Sequence, residues 1–332
     1  LDASGQLVTD FTGIVNPTVK DSKVTVTCLK NSNKDDSPAF TFTDYPNTIF
    51  IGNDSVRNGK FSFTFTVPKD ISYSNLQGKM NLYAVDTENG HEAQGNFDNF
   101  IVGGTSDTAE TDTIGPEIRA LYLNDTTFVD GGQVNTTPYF VAELWDKSGV
   151  NITGSSVGHD MMLVIDESTV LSYNLNSYYE LLPGEEGTGI VKFPIPALEP
   201  GKHTAEFWVW DILNNSTVRT FTFEVVEGLK PFLFDVIATP GIAREQVTFH
   251  LMHNRPESRM RVGIMVYDLA GRQLWKHEES GTSGLFENYT VSWDLTSGGA
   301  RMRPGVYIYR AAISTDNSKD ATKARKFIIL GE

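Results

Sequence analysis

Alternation of apolar and polar residues at every second position is the feature that most constrains this chain. In residues 61–67 three phenylalanines and Val67 alternate with hydroxyl side chains. A period of two places one set on each face of a β-strand, so we expect the phenylalanines and Val67 to share one buried face. The same alternation recurs at residues 24–28, 221–225 and 247–251. The pattern predicts strands through most of the sequence.

Turn-forming clusters of Gly, Asn, Asp and Pro separate these short runs, and no apolar spacing of three and four is sustained long enough for a helix of three turns. Three apolar runs end in an aspartate placed to start a turn, at Asp86, Asp211 and Asp268. Short strands at this spacing favour an all-β fold of three tandem Ig-like β-sandwich domains.

Two polar linkers divide the chain, at residues 103–116 and 227–231. The first contains few large apolar groups and ends in Gly115-Pro116. We therefore expect it to be the hinge that proteases cut first. The predicted domains are 1–104, 116–227 and 231–332, each close to the size of a sandwich of about seven strands.

The charge of the chain argues against binding to nucleic acid, and its hydropathy argues against a membrane-spanning helix. The formal net charge is −15, although residues 231–332 hold 13 basic and 11 acidic side chains. An acidic surface repels phosphate backbones, so nucleic acid is a poor partner. No apolar run approaches the roughly 20 residues that span a bilayer. The N-terminus resembles neither a signal peptide nor an initiating Met context, so we expect a mature chain or one excised from a longer protein.

Cys28 is the only cysteine, and a nucleophilic role would require a lowered thiol pKa and a histidine partner. Because Cys28 lies on the same face of an alternating run as Val24 and Val26, we favour a buried core thiol. The Gly-x-Ser-x-Gly, Walker and His-Glu-x-x-His signatures are absent. We assign no catalytic residue and no cofactor.

Loops in the middle of the chain carry carboxylates at Asp146, Asp160 and Asp211. With the amides of Asn214 and Asn215 they could ligate Ca²⁺, which takes six to eight oxygens. No regular calcium-loop spacing supports this. We favour aspartates that cap turns and a His159 that hydrogen-bonds a neighbouring strand, and we assign no metal.

Two aromatic pairs in the same part of the chain, Trp208/Trp210 and Tyr178/Tyr179, could stack on a sugar. Burial between two sheets is the commoner fate of such pairs. Val209, on the opposite strand face, is also apolar, which favours a strand covered on both sides.

The C-terminal block resembles the sorting domain carried by cargo of the type IX secretion system of Bacteroidetes, which is related to the Ig-like domain of flagellar hook-capping proteins. The resemblance rests on four motifs in order. They are Tyr267-Asp268-Leu269-Ala270-Gly271-Arg272, Trp293-Asp294, Pro304-Gly305-Val306-Tyr307 and the basic final run Lys323-Ala324-Arg325-Lys326-Phe327-Ile328-Ile329-Leu330.

The first two blocks resemble the region behind the peptidase domain of the type IX sortase, a gingipain-like cysteine peptidase. The matching pieces are residues 49–61 and 67–73, Asp146-Lys147-Ser148-Gly149, Gly158-His159-Asp160, His203 and Trp210-Asp211-Ile212-Leu213-Asn214-Asn215. The resemblance implies a cell-surface, outer-membrane-associated protein that removes sorting domains from cargo and attaches the cargo to lipopolysaccharide. It implies an upstream peptidase domain holding the catalytic His and Cys. Cys28 lies in none of the matched motifs.

The resemblance implies two partners, the upstream peptidase domain and the outer-membrane secretion machinery. Two other classes of function remain open: a surface adhesin or glycan-binding protein exported by the same system, and a free-standing enzyme, for which no motif is present. Phe327 and Ile329 should enter the third core, whereas Lys326, Ile328 and Leu330 should form an apolar surface beside a positive charge. Either this surface docks on the machinery, or these residues only cover the end of the sandwich.

Overall fold

A computed structural model describes residues 1–29, 38–86, 89–105, 112–153, 158–182, 187–315 and 317–331. The described residues form strands joined by turns, with a single short 3₁₀ turn at Asn176–Tyr178. The all-β prediction is confirmed. Within these ranges there is no helix of the length and apolar character needed to span a bilayer.

The strands of the N-terminal part, in chain order, are β1 Gly13–Lys20, β2 Val24–Thr27, β3 Thr41–Asp44, β4 Thr48–Ile51, β5 Asp54–Val56, β6 Leu76–Gln77, β7 Lys79–Asp86, β8 Glu92–Phe97 and β9 Ile101–Val102. The middle part contains β10 Glu117–Leu123, β11 Gln133–Val134, β12 Tyr139–Trp145, β13 Met162–Ile165, β14 Ser172–Asn174, β15 Tyr179–Leu181, β16 Thr188–Pro194, β17 Gly201–Trp210 and β18 Ser216–Val225. The C-terminal part contains β19 Leu233–Thr239, β20 Ile242–Ala243, β21 Val247–His253, β22 Met260–Tyr267, β23 Gln273–Gly281, β24 Tyr289–Trp293, β25 Thr296–Ser297, β26 Ala300–Arg301, β27 Gly305–Ser314 and β28 Ala321–Ile329.

Two compact units account for the chain. Unit 1 comprises Leu1–Leu121, Val141–Phe193 and Thr204–Phe221. Unit 2 comprises Tyr122–Phe140, Pro194–His203 and Thr222–Glu332. The three predicted domain ranges stay a prediction, and residues 106–111 of the predicted hinge lie outside the described residues.

In unit 1 the first strands form a sheet in the order β4-β1-β7-β8, with β5 also beside β1. Val15 pairs with Ala84 and Val19 with Met80 in the antiparallel register of β1 and β7. Alternate residues of β1 are therefore buried. β2 pairs with β3 and β6 with β9 as separate two-stranded ribbons. Farther along the chain, β13 pairs with β14 and β17, and β15 pairs with β16.

Two predicted burial patterns in unit 1 are wrong. Residues 61–67 form no strand, and the side chains of Phe61 and Val67 are 42% and 51% exposed. Cys28 is exposed, so the predicted core thiol is also wrong. In both cases the alternation is present but the apolar face is incompletely covered; Phe63 and Phe65 are half-buried against a core, whereas Phe61 and Val67 are exposed. β2 belongs to a two-stranded ribbon, and no described residue pairs with 61–67.

Unit 2 contains the C-terminal sandwich. Its sheets have the orders β19-β21-β24 and β20-β28-β27-β22-β23, and their shared core includes Val247, Phe249, Leu251 and Phe327. The predicted inward face of residues 247–251 is thus confirmed, and so is the burial of Phe327 and Ile329. In the same unit β11 pairs in parallel with β18.

The aspartates that close three strands start turns, as predicted. The Asp211 carboxylate accepts a hydrogen bond from the Leu213 amide at 2.9 Å, and Asp268 accepts one from the Ala270 amide at 3.0 Å. Asp86 accepts a hydrogen bond from the amide three residues on, that of Asn89, at 3.0 Å. These bonds explain why an aspartate follows each apolar strand.

Candidate functional site

The candidate site lies in unit 1, where loops of the middle part meet the segment that follows residue 67. Lys69 and Asp70 anchor this segment. The Lys69 amide donates to the Ile212 carbonyl at 3.0 Å, and the Lys69 ammonium donates to the Leu213 carbonyl at 2.9 Å. Both bonds hold the segment against the turn that follows β17.

The nearly buried Asp70 carboxylate is the centre of a polar network. It contacts His159 Nδ1 at 2.7 Å and accepts hydrogen bonds from Asn214 Nδ2 at 3.0 Å and Asn151 Nδ2 at 3.2 Å. The His159 ring packs on Trp210, with ring centroids 4.4 Å apart. His159 therefore bonds a carboxylate from a distant part of the sequence, not a neighbouring strand as predicted. Sequence reasoning missed Asp70 as its partner because nothing local in residues 67–73 marks the contact.

Three carboxylates meet beside this network. One oxygen each of Asp112, Asp146 and Asp211 lies within 4.8 Å of the other two. Asp146 and Asp211 are buried and Asp112 is half-buried. The sequence suggested Asp146, Asp160 and Asp211 instead. Asp160 is not in this cluster but accepts a hydrogen bond from Asn176 Nδ2 at 2.7 Å.

Backbone amides orient the two buried carboxylates. One oxygen of Asp146 accepts from the amides of Ser148 and Gly149, both at 2.8 Å. One oxygen of Asp211 accepts from the amide of Asn215 at 2.7 Å as well as from Leu213. These are the turn-capping roles that the sequence analysis favoured for Asp146 and Asp211.

Asp112 joins the cluster through side chains. Its carboxylate accepts from Ser148 Oγ at 2.7 Å, and its carbonyl accepts from Asn215 Nδ2 at 3.1 Å. Its place in a polar linker gave no sign of this role. The contacts fasten the end of the linker to the turns that hold Asp146 and Asp211.

Burial raises the pKa of Asp146 to about 6, although the amides of Gly149 and Ser148 oppose the shift; the neighbouring Asp211 and Asp112 carboxylates raise it further. Asp146 is thus a desolvated carboxylate beside two others. Carboxylate oxygens are the ligands that Ca²⁺ and Mg²⁺ take in proteins, so Asp112, Asp146 and Asp211 are the residues that could hold such an ion. Their hydrogen bonds also suit a purely structural role.

Next to the cluster lies a cleft of about 490 Å³, which we call the junction cleft. Its lining includes Phe50, Phe63 and Phe65 as well as Leu181 and Leu182. Asn53, which also lines the cleft, donates a hydrogen bond of 3.0 Å from Nδ2 to the Leu181 carbonyl. The lining combines these apolar side chains with the carboxylates of Asp54 and Asp146, a mixture that is typical of a binding cleft.

The aromatic pairs differ from the prediction. Phe207 and Val209 form the buried face of β17, whereas Trp208 is 36% exposed on the other face and donates to Glu206 at 3.2 Å. The predicted burial of the tryptophan pair is therefore wrong for Trp208. Tyr179 is buried and Tyr178 is exposed, so this pair does not form one platform either.

The fold defines a class, that of all-β chains in which strands from many short sheets are joined by turns. No protein-family model and no curated protein matches the chain. Similar solved structures include the Ig1-2 module of the Drosophila receptor protein tyrosine phosphatase DLAR, with 11% identity over 65% of this chain and 98% of that one and a TM-score of 0.25. The FN1-FN3 domains of chicken CNTN1 match with 8% identity over 97% of this chain and 90% of that one and a TM-score of 0.24. Neither likeness supports an argument about function.

One solved structure is much more similar in sequence. Dimeric latent PorU from Porphyromonas gingivalis is 38% identical over 99% of this chain, with a TM-score of 0.40. The chain spans 30% of the length of that protein.

Proposed function

We propose that the chain is the non-catalytic C-terminal region of a cell-surface, gingipain-like sortase of the type IX secretion system. The parent protein would process cargo sorting domains and attach cargo to lipopolysaccharide. The first two sandwiches would brace the peptidase domain, and the last would dock on the outer-membrane secretion machinery. The motif series of the C-terminal sandwich carries this proposal, and the 38% identity that extends over 99% of the chain agrees with it.

Each motif of that series has a structural role in unit 2. Asp268 caps its turn and pairs with Arg272 at 3.1 Å. Trp293 is buried and stacks on Trp275 at 4.5 Å, and Tyr307 donates to the Arg303 carbonyl at 2.7 Å. The motifs therefore stabilise one sandwich.

The final strand β28 supports the docking role. Phe327 and Ile329 enter the core, while Ile328 and Leu330 are exposed. Arg325 of this strand is already engaged, since it binds both carboxylate oxygens of Asp235 at 2.8 and 2.9 Å. Exposed apolar groups beside Lys326 form the surface that we assign to the machinery.

The test combines Lys326→Glu with Ile328→Ser in the full-length protein. The core residues of β28 are unchanged, so the variant should fold as the parent does, whereas its arrival at the cell surface should fail. Circular dichroism of the 332-residue chain checks folding, and protease shaving of intact cells checks localisation. Surface localisation that survives the change would contradict the docking role, as would unfolding caused by it.

One observation favours a second function, that of a glycan-binding surface protein. Trp208 exposes part of its ring on the outer face of β17, where a sugar could stack. Affinity electrophoresis in polysaccharide gels would detect such binding. Retardation that is lost in Trp208→Ala and kept in Trp145→Phe would support this function over the first.

A further inference from the structure

Residues 61–67 are a strand sequence without a partner strand. No described residue forms a backbone ladder with them, and they form none of the backbone hydrogen bonds found elsewhere in the described chain. The hydroxyl side chains of Ser62, Thr64 and Thr66 are exposed. The segment therefore presents a row of unpaired N–H and C=O groups, which is the kind of edge that accepts an added strand.

The segment already has the spacing of a strand. The rings of Phe61 and Phe63 lie 6.4 Å apart and those of Phe63 and Phe65 lie 6.3 Å apart, each pair stacked. Two residues of a β-strand rise by about 6.4–6.8 Å. Phe50 stacks on Phe65 at 4.7 Å and holds the row in place. An incoming strand would thus find an edge that is ordered before it binds.

The core beside this segment covers only part of the phenylalanine row. This buried core contains Val19, Ile49, Ile71 and Val102, with Phe63 and Phe65 packed against it. The sheet on one side has five strands, whereas β6 and β9, which contribute Val102, form only a ribbon of two. One more strand along residues 61–67 would cover Phe61 and Val67, which are exposed.

The charge and length of residues 61–67 indicate what kind of strand would pair with them. Residues 61–67 carry no charge, Arg57 and Lys60 lie exposed before them, and Lys69 follows. A matching strand has about seven residues, alternates apolar side chains toward the phenylalanine row, and carries an acidic residue near Lys60.

A second copy of this chain fits less well. Antiparallel self-pairing centred on Thr64 would place Lys60 opposite Pro68, which has no N–H, and beside Lys69 of the other copy. Like charges across a strand pair are destabilising, and the missing donor removes a ladder bond.

We infer that the occupant is a β-strand from the remainder of the parent polypeptide, outside these 332 residues. This inference rests on the proposed function, in which the chain is part of a longer protein. The similar PorU chain is more than three times as long, since this chain spans 30% of it. A strand on the same polypeptide would pair at high effective concentration, so no strong affinity between separate molecules is required.

Hydrogen exchange measured by mass spectrometry tests the inference. The amides of residues 61–67 should exchange near the unstructured rate in the 332-residue chain. In the longer polypeptide purified from its source cells, they should exchange at least about 100-fold more slowly.

Proline substitutions give a second readout in the longer polypeptide. Successive N–H groups of an extended chain point to opposite sides, so only one of two neighbouring residues donates to an added strand. Thr64→Pro and Phe65→Pro are therefore made separately. One of the two should abolish the protection from exchange. Thr64→Val keeps the N–H group and should retain it. In the 332-residue chain Thr64→Pro should not shift the unfolding temperature, because its N–H has no partner there.

The outcomes separate this inference from the proposed function. If the source cells contain no polypeptide longer than this chain, the proposed function fails. If a longer polypeptide exists and residues 61–67 still exchange rapidly in it, the inference alone is wrong. Protection that appears in the 332-residue chain and grows with its concentration would identify a second copy as the occupant and overturn the inference.

Discussion

Asp146 shows how one residue connects packing with electrostatics. Its carboxylate is held by two backbone amides and is buried beside two other carboxylates. Its pKa of about 6 in the folded chain lies above the ordinary value of 3.8. The folded state therefore binds this proton more readily than the unfolded state. The stability that the proton contributes is fully present below about pH 4 and is lost as the pH rises through 6.

Asp146→Asn should stabilise the chain at pH 8. Asparagine can accept the same two amide bonds without placing a charge beside Asp112 and Asp211. We expect a gain of about 1 kcal/mol at pH 8, or roughly 2–4 °C in the unfolding temperature, and no gain at pH 4. Thermal unfolding in a buffer with a chelator measures this, and Asp160→Asn, which lies outside the cluster, is the control. A loss of stability at pH 8 would show that the charged form is the favoured one.

At the scale of elements, β28 depends on one aromatic side chain. Phe327 is 2% exposed. Its ring centroid lies 5.8 Å from that of Tyr309, 5.9 Å from that of Tyr307 and 6.1 Å from that of Phe249. With Trp293 at 6.3 Å as well, the ring joins β28 to three other strands of the C-terminal sandwich, β21, β24 and β27.

Phe327→Ala should lower the free energy of unfolding by about 3–5 kcal/mol, because it leaves a cavity among these rings. Ile328→Ala on the exposed face of the same strand should cost less than about 1 kcal/mol. Calorimetry of the 332-residue chain compares the two variants. Equal shifts would mean that Phe327 does not hold the strand.

The linker at residues 227–231 is fixed by a buried arginine. Arg255 is almost inaccessible to solvent, and its guanidinium donates to the carbonyls of Leu229 at 3.1 Å and Lys230 at 3.3 Å. A third bond, to the Asn254 carbonyl at 3.0 Å, holds the guanidinium against its own loop. This second linker is therefore tied to the C-terminal sandwich, which the sequence did not reveal.

Arg255→Ala should free the linker, since two backbone carbonyls lose charged donors at about 1–3 kcal/mol each. Limited digestion with a glutamate-specific protease should then cut after Glu227 at least tenfold faster than in the parent chain. Arg259→Ala removes an exposed arginine four residues farther along the chain and should leave the rate unchanged. An unaltered rate in Arg255→Ala would show that other contacts hold the linker.

The elements also show how far the sequence predicts the fold. Residues 247–251 are buried as expected because their neighbouring strands lie in the same chain. Residues 61–67 have a clearer alternation, but no strand among the described residues pairs with them, and alternation cannot reveal whether a partner strand exists. For β17 the alternation separates two faces, yet it cannot tell which is the core, and the tryptophans proved to be on the outer one.

The candidate site was harder to predict, because a local pattern does not show which distant residues become neighbours. Asp146 and Asp211 were singled out, but their third partner, Asp112, comes from a linker. The Asp70–His159 contact joins residues 89 positions apart. Such contacts depend on how loops from separate sheets meet, which local spacing does not specify.

At the scale of the whole molecule, the described residues provide anchoring contacts and surfaces. The Asp70 network, the junction cleft and the unpaired edge at 61–67 all lie in unit 1. The exposed face of β28 lies in unit 2. In the function that we propose, these features would support and position a peptidase domain carried elsewhere on the parent polypeptide.

The most direct test of this account is a peptidase assay on two proteins side by side, the 332-residue chain and the longer polypeptide from its source cells. Gingipain-type peptide substrates with Arg or Lys at the cleavage site are the probe, and Cys28→Ala in both proteins is the control. The account predicts hydrolysis by the longer polypeptide, unaffected by Cys28→Ala, and none by the 332-residue chain. Hydrolysis by the 332-residue chain that Cys28→Ala abolishes would contradict it.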